Sequence, residues 1–464
     1  VLNWENDGAE VRSAAKSYVK NEQFYYQEGI TYPNVTVKGY SARYLPAGAI
    51  FSTAGQGIFL QNNQWIYPVL SFLNSELAEG LLEIIGVKRH YNVGFVAHLP
   101  IAEGVLKNTS DLGDLAHQVH DLKAAWDTGN EICTRFEAPW LIQLHQGQRA
   151  DEAAGGLARV QALLDDGAAL VGSSPPQPPT LSDLLDGARA IERAAAARLQ
   201  ALQAHIDAAV YDLYEITCAD RDLIERELGD RPPELIWPQL ERKSDREKRR
   251  EHVRRLLSYF VLQALREKRD GLLPLCPGAG QPTALDAVRR GLLATFGEEA
   301  AFRMETEIKH ILGRDIGDWL DGPFIKWHTK LYNKRPVIWQ LSSSDYYHTF
   351  NIFLYIHALD RDTLRKVQTQ YLWTRRRTLT SKRDSARASE DYDRVADIEE
   401  DLEALAAFER TLLTVIEGDV NVRTPQWAVG PYRQGVYDPV LDDGVKVNIA
   451  PLQKAGLLRY KRLV

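Results

Sequence analysis

At 464 residues the chain exceeds what one hydrophobic core can hold, so two or three domains are expected, and its 44% hydrophobic content suffices to pack them. No stretch nears the roughly 18 apolar residues of a membrane span, and no basic-then-apolar leader opens the chain, so a cytoplasmic protein without a membrane partner is expected. Cys133, Cys218 and Cys276 form no CxxC pair, which argues against a disulfide framework and a zinc knuckle, and the net charge of -7 leaves nucleic acid open because phosphate binding depends on local patches.

In chain order, residues 1–21 read as a linker, and a start at Val1 with Met304 as the single methionine suggests a piece of a longer protein. Residues 22–105 form a small mixed α/β module of short strands with a helix or two, from apolar runs broken by turn residues such as Tyr44-Leu45-Pro46-Ala47-Gly48. Reading duplex DNA takes cations for phosphates and hydrogen-bonding or apolar groups for base edges. This module offers Lys38, Tyr40, Arg43 and Tyr44 near a turn, then Lys88, Arg89, His90, Tyr91 and Asn92 past a helix ending at Gly86. A solvated loop is the competing explanation.

Residues 106–330 read as a helical scaffold with a flexible insertion at 151–179, marked by Gly172-Ser173-Ser174-Pro175-Pro176-Gln177-Pro178-Pro179. Apolar side chains at 184, 188, 191, 195, 199, 202, 206, 210 and 213 predict one long amphipathic helix. Residues 242–255, with eight Lys or Arg against three acids, predict a charged helix that is either a solvated face or a phosphate clamp.

Residues 331–464 read as a C-terminal α/β region. Arg335 to Leu359 suggests a short strand pair feeding a helix that begins near Asp362, and Val395, Ile398, Leu402, Leu405, Phe408, Leu412 and Val415 predict a second long helix over 385–417. The two long helices are expected to pair antiparallel or to serve an ordinary helical core. Lys334, Arg335 and the acid-free run Arg375, Arg376, Arg377 are further phosphate candidates. The whole is a predominantly helical α+β protein.

Three enzyme-like patterns compete with binding. Glu234 with Glu241-Arg242-Lys243 mimics a metal-dependent nuclease, but its acids and lysine must sit on neighbouring strands and this stretch reads as a proline turn entering a helix. His117 and His120 with Asp114 and Asp121 have metal-ligand spacing but no third strong ligand. Ser342-Ser343-Ser344-Asp345 beside His348 imitates a hydrolase only superficially, and a surface turn capping a helix explains it far better. Catalytic, cofactor-binding and metal residues are therefore all expected to be absent.

Several ordered segments resemble the C-terminal, target-recognition half of the PglX-type adenine-specific DNA methyltransferases of BREX phage-defence systems, which are related to fused restriction-modification enzymes. They are Asn3-Trp4-Glu5-Asn6-Asp7-Gly8, Tyr25-Tyr26-Gln27-Glu28-Gly29-Ile30-Thr31 (with Tyr32 where tryptophan is usual), Ser41-Ala42-Arg43-Tyr44-Leu45-Pro46-Ala47-Gly48, and Leu73-Asn74-Ser75. Asn92-Val93-Gly94-Phe95, Leu99-Pro100-Ile101, Trp126-Asp127, Arg254-Arg255-Leu256-Leu257-Ser258-Tyr259, Lys334-Arg335-Pro336-Val337-Ile338-Trp339 and Asp442-Asp443-Gly444-Val445-Lys446-Val447-Asn448 continue the series.

The resemblance implies sequence-specific binding of double-stranded DNA beside a catalytic domain on the N-terminal side that uses S-adenosylmethionine. The family's glycine-rich cofactor loop and Asn-Pro-Pro-Tyr/Phe motif have no counterpart here: Ser174-Pro175-Pro176-Gln177 lacks the amide and the ring, and Gly55-Gln56-Gly57 is too short. The alternatives are a scaffold for other defence proteins or for a phage DNA-mimic inhibitor and, further off, a metal-dependent nuclease.

Overall fold

The computed structural model describes residues 5–13, 18–37, 39–52, 54–86, 89–107, 111–149, 156–164, 180–229, 240, 242–343, 349–426 and 428–459. They are mainly helical with small antiparallel sheets, as a helical α+β reading requires. Two compact units divide them, one from 18–174 and 186–243, the other from 1–17, 175–185 and 244–464. Among the described residues no helix is long and apolar enough to cross a membrane.

In the first unit β1 (Gly29–Pro33) is the centre of a three-stranded sheet between β2 (Arg43–Leu45) and β3 (Gly55–Ile58), with Ile30 opposite both Tyr44 and Ile58. The helix Ile66–Leu73 is apolar almost all round and accordingly buried, sharing a core with Ile30, Tyr32, Leu77 and Leu82. That core extends beyond residue 105: Leu112 and, from the far end of the long helix, Ile206, Val210 and Tyr211 belong to it. The long helix itself is Leu181–Leu213, and of the residues predicted to face inward those at 184, 188, 191, 195, 199, 202, 206 and 210 are buried and Leu213, the last, is partly buried. Its Asp207 carboxylate accepts from the Glu76 amide at 2.8 Å, answering the unpaired N–H groups that open the helix Glu76–Ile84.

The motif residues of this unit prove to be staples. Asn74 accepts from the Ala42 amide (2.9 Å) and donates to the Ala42 carbonyl (3.1 Å), while Ser75 caps the helix that follows through the Ala78 amide. Trp126 ends the helix Asp111–Trp126 stacked on Trp140, with centroids 4.5 Å apart, and the Trp140 indole donates to its carbonyl.

The second unit holds the sheet β4 (Leu272–Pro274), β6 (Asn351–Tyr355) and β5 (Ile338–Ser342), in the order β4-β6-β5. The expected strand pair is thus present, and the chain re-enters helix at Thr363. The charged stretch forms the start of Asp245–Glu267, opened by a capping box between Ser244 and Glu247. A small hairpin, β7 (Tyr432–Arg433) and β8 (Val436–Tyr437), precedes the helix Gly444–Lys454.

The expected single helix over 385–417 is corrected. Two helices, Trp373–Ala388 and Tyr392–Ile416, meet at Ser389 to Asp391, where Glu390 takes a left-handed φ of 58° and Asp391 caps the second helix through the Arg394 amide. The apolar periodicity of the second helix does not extend through this turn. These two neighbours form an antiparallel pair of their own, distinct from the expected pairing with the helix over 184–213, tied by Arg387 to Glu399 and Arg376 to Glu409.

Candidate nucleic-acid interface

Pairing of β2 with β1 and the Asn74 clamp on Ala42 fix the backbone at Arg43 and Tyr44. Arg43 is exposed. Tyr44 is half-buried, donates to Glu28 Oε1 at 2.6 Å and stacks on Tyr67; burial, then the Glu28 hydrogen bond, push its phenol up to about 12, so it remains a neutral donor.

Arg89 and His90 are exposed on a second rigid edge, where His90 pairs with Val35 and the Thr36 amide donates to the Arg89 carbonyl. Asn92 is exposed just before the short helix Val93–Val96. Lys38 and Lys88 lie outside the described residues.

Tyr40 and Tyr91 require a correction. Their polar neighbours in the sequence suggest exposure, but they are 4% and 3% exposed and form a buried column with Tyr32, centroids 5.5 and 5.1 Å apart. Their side chains hold the core instead of offering a surface to DNA.

In the second unit Lys334 and Arg335 are exposed where the helix Pro323–Leu331 unwinds through left-handed Asn333 and Lys334. The arginine run divides by role. Arg375 donates to the Thr349 and Pro277 carbonyls, at 3.2 and 2.7 Å, and braces loops. Arg376 pairs with Glu409, which corrects the expectation of a run remote from acids: the antiparallel partner helix supplies one. Burial works against the charge of Glu409, yet hydrogen bonds from Trp373, Gln368 and Arg376 outweigh it and hold the carboxyl below its ordinary range.

Arg377 is exposed and meets, among the described residues, only the Thr374 hydroxyl at 3.1 Å. It shares an open groove of about 620 Å³ with Arg376, Thr380, Ser381 and Asp384, and Asp384 opposes an anion there. Arg377 is therefore the member of the run that best suits a phosphate.

Lys123, one helix over from Arg43, was missed in the sequence because an isolated lysine on an amphipathic helix carries no signal. Burial, then the Arg43 charge, lower its ammonium to about 8 against the pull of Asp127. Below that pH the lysine is charged in both folded and unfolded chains and the full penalty stands; as pH rises from about 8 towards the unfolded value near 10.4 the penalty disappears. Lys123→Met should therefore raise stability at pH 7 by about 1 kcal/mol, with the gain fading by pH 10, as thermal denaturation at the two pH values would measure.

Glu234, Glu241, Ser344, Asp345 and His348 lie outside the described residues, as does Ser174-Pro175-Pro176-Gln177. Ser342 is part of β5, and Ser343 Oγ accepts from the Phe350 amide at 3.2 Å. His117 stacks on Tyr67 and His120 meets it edge-on, and among the described residues no group of three ligands could hold a metal. Gly55 and Gly57 lie in β3, where a side chain on Gly57 would strike the Phe59 ring, so these glycines serve strand packing and do not fit a cofactor loop.

The molecule is thus a helical α+β protein whose rigid edges present exposed cations, and its sequence is similar to adenine-specific methyltransferases. An alignment of 487 residues, covering 97% of this chain and 37% of the relative, gives 26% identity to the adenine-specific methyltransferase BrxX of Escherichia coli O9:H4 (strain HS). A shorter one of 110 residues, 22% of this chain and 9% of the relative, gives 30% identity to the adenine-specific methyltransferase PglX of Lacticaseibacillus casei (strain Zhang). The chain therefore spans 37% of the length of the BrxX relative. No family model matches it.

Proposed function

We propose that this chain provides duplex-DNA binding and target recognition for an adenine-specific DNA methyltransferase of a BREX-like defence system. It would act with a catalytic domain that extrudes the adenine and methylates its N6 from S-adenosylmethionine. The observation that carries the reading is the 26% identity to such a methyltransferase across 97% of the chain. Arg43, Arg89 and His90 on one unit and Lys334, Arg335 and Arg377 on the other support it, being exposed side chains suited to phosphates and held by strand pairing or helix ends. The cofactor belongs to the full-length enzyme in this reading, and no step of methyl transfer is assigned to residues of this chain. A DNA-mimicking inhibitor or another defence protein would compete for the same cations.

A salt titration of binding to mixed-sequence duplex DNA, without cofactor, tests the reading. Submicromolar affinity that falls with a log-log slope of about -4.5 is expected if about five phosphates are neutralised. Absence of binding at low salt would overturn the assignment of DNA affinity to this chain and favour a protein-docking role.

A further inference from the structure

The first unit carries an aromatic array that the cation sites do not use. Tyr44 from β2, Tyr67 from the helix Ile66–Leu73 and His117 from the helix Asp111–Trp126 lie nearly parallel: Tyr44 and Tyr67 have centroids 5.5 Å apart at 17°, Tyr67 and His117 3.4 Å apart at 20°. His120, one turn beyond His117, stands edge-on to both tyrosines, at 5.4 and 5.9 Å. Three separate elements thus hold the rings, and the Tyr44 hydroxyl is fixed on Glu28, whose other oxygen accepts from Asn63 Nδ2 at 3.3 Å.

The array differs from the core tyrosines of the same unit in the way that matters for a ligand. Tyr32, Tyr40 and Tyr91 are buried and tilted, whereas here the outer ring, His117, is exposed and Tyr44 and Tyr67 are half-exposed. One cation acts on it: Arg135, exposed, pulls the Tyr44 and Tyr67 phenols down against the larger effect of burial, whereas Arg43, the strand neighbour of Tyr44, points to the other face of the sheet. His120 Nδ1 lies 2.9 Å from Asp121 Oδ1, so one carboxylate is held at the edge of the array.

A flat, partly exposed stack with a guanidinium group near it is complementary to a flat ring joined to a phosphate. In a duplex both faces of each base are covered by neighbouring bases, so the ring that can use such a stack is one that has left the helix. We infer that Tyr44, Tyr67 and His117 form a platform on which an unpaired nucleobase stacks, its phosphate met by Arg135. This rests on the DNA-binding reading and adds to it a second mode of contact, with unstacked or single-stranded nucleotides.

The test uses the full chain and an oligonucleotide of about 12 nucleotides carrying 2-aminopurine, single-stranded or fully paired. Binding of the single strand should quench the fluorophore. His117→Ala, which removes an exposed ring, should weaken single-strand binding about tenfold and relieve the quenching, His117→Trp should retain both, and all three proteins should bind the paired duplex within twofold of one another. Arg135→Gln should lower the salt slope for the single strand by about one unit. Unchanged single-strand affinity and quenching in His117→Ala, or no single-strand binding by a chain that binds duplex, would overturn the platform. Single-strand binding that depends on His117 without any duplex binding would instead uphold the platform and overturn the duplex-recognition reading.

Discussion

Asn448→Leu should destabilise the second unit by about 1–3 kcal/mol, although the replacement is apolar, similar in size and placed at a fully buried position. The Asn448 amide accepts from the Val440 amide at 2.8 Å and donates to the Val440 and Gly444 carbonyls at 2.5 and 3.0 Å, so a leucine strands the Val440 N–H away from water, while the Val440 carbonyl keeps the Asp443 amide at 3.0 Å. The neighbouring Asp443 acts in the same manner, taking the Val429 and Gly430 amides at 3.1 and 2.7 Å, and its loss should be comparable in kind. Urea denaturation followed by tryptophan fluorescence measures the effect, since Trp339 lies in this unit's core. A midpoint within experimental scatter of the parent's would show that water replaces the amide and that the staple is dispensable.

Reversing the charge at both Arg43 and Arg89 should weaken duplex binding roughly 50-fold at 0.1 M salt and reduce the salt slope by about two units, because two phosphates lose their counter-charges. Both side chains are exposed, so the folded structure should survive and the thermal midpoint should move little. Arg375→Gln provides the contrast. That guanidinium holds the Thr349 and Pro277 carbonyls, so its removal should lower stability and leave the salt slope close to the parent's. Equal slopes for the double charge reversal and the parent would remove these two arginines from the interface, whatever the affinity.

Periodicity made the helices legible where one face is buried along its whole length. The 3.6-residue pattern from Leu184 to Val210 corresponds residue by residue to the buried face of Leu181–Leu213, because a helix that packs along one side must carry its apolar groups there. The same pattern could not locate the break at Glu390, where chain reversal depends on one left-handed residue and a cap and not on any apolar repeat. Tyr40 and Tyr91 misled for a related reason. Tyrosine has an apolar ring and a polar tip, so local polarity in the sequence does not tell which of the two decides its place, and here the three-ring column with Tyr32 does.

Helical α+β character, the antiparallel strand pair after Lys334, and the exposed placement of Arg43, Arg89, Lys334, Arg335 and Arg377 follow from the sequence by itself, since pattern and charge act locally. Tertiary structure alone decided which arginine of 375–377 is committed to a carboxylate, which to loop carbonyls and which to solvent. It also brought Tyr44, Tyr67 and His117 from three elements into one stack. The physical reason is the same in both cases: an ion pair or a ring stack is set by distances of a few ångströms between residues remote in the chain, and only the packing of helices and strands fixes those distances.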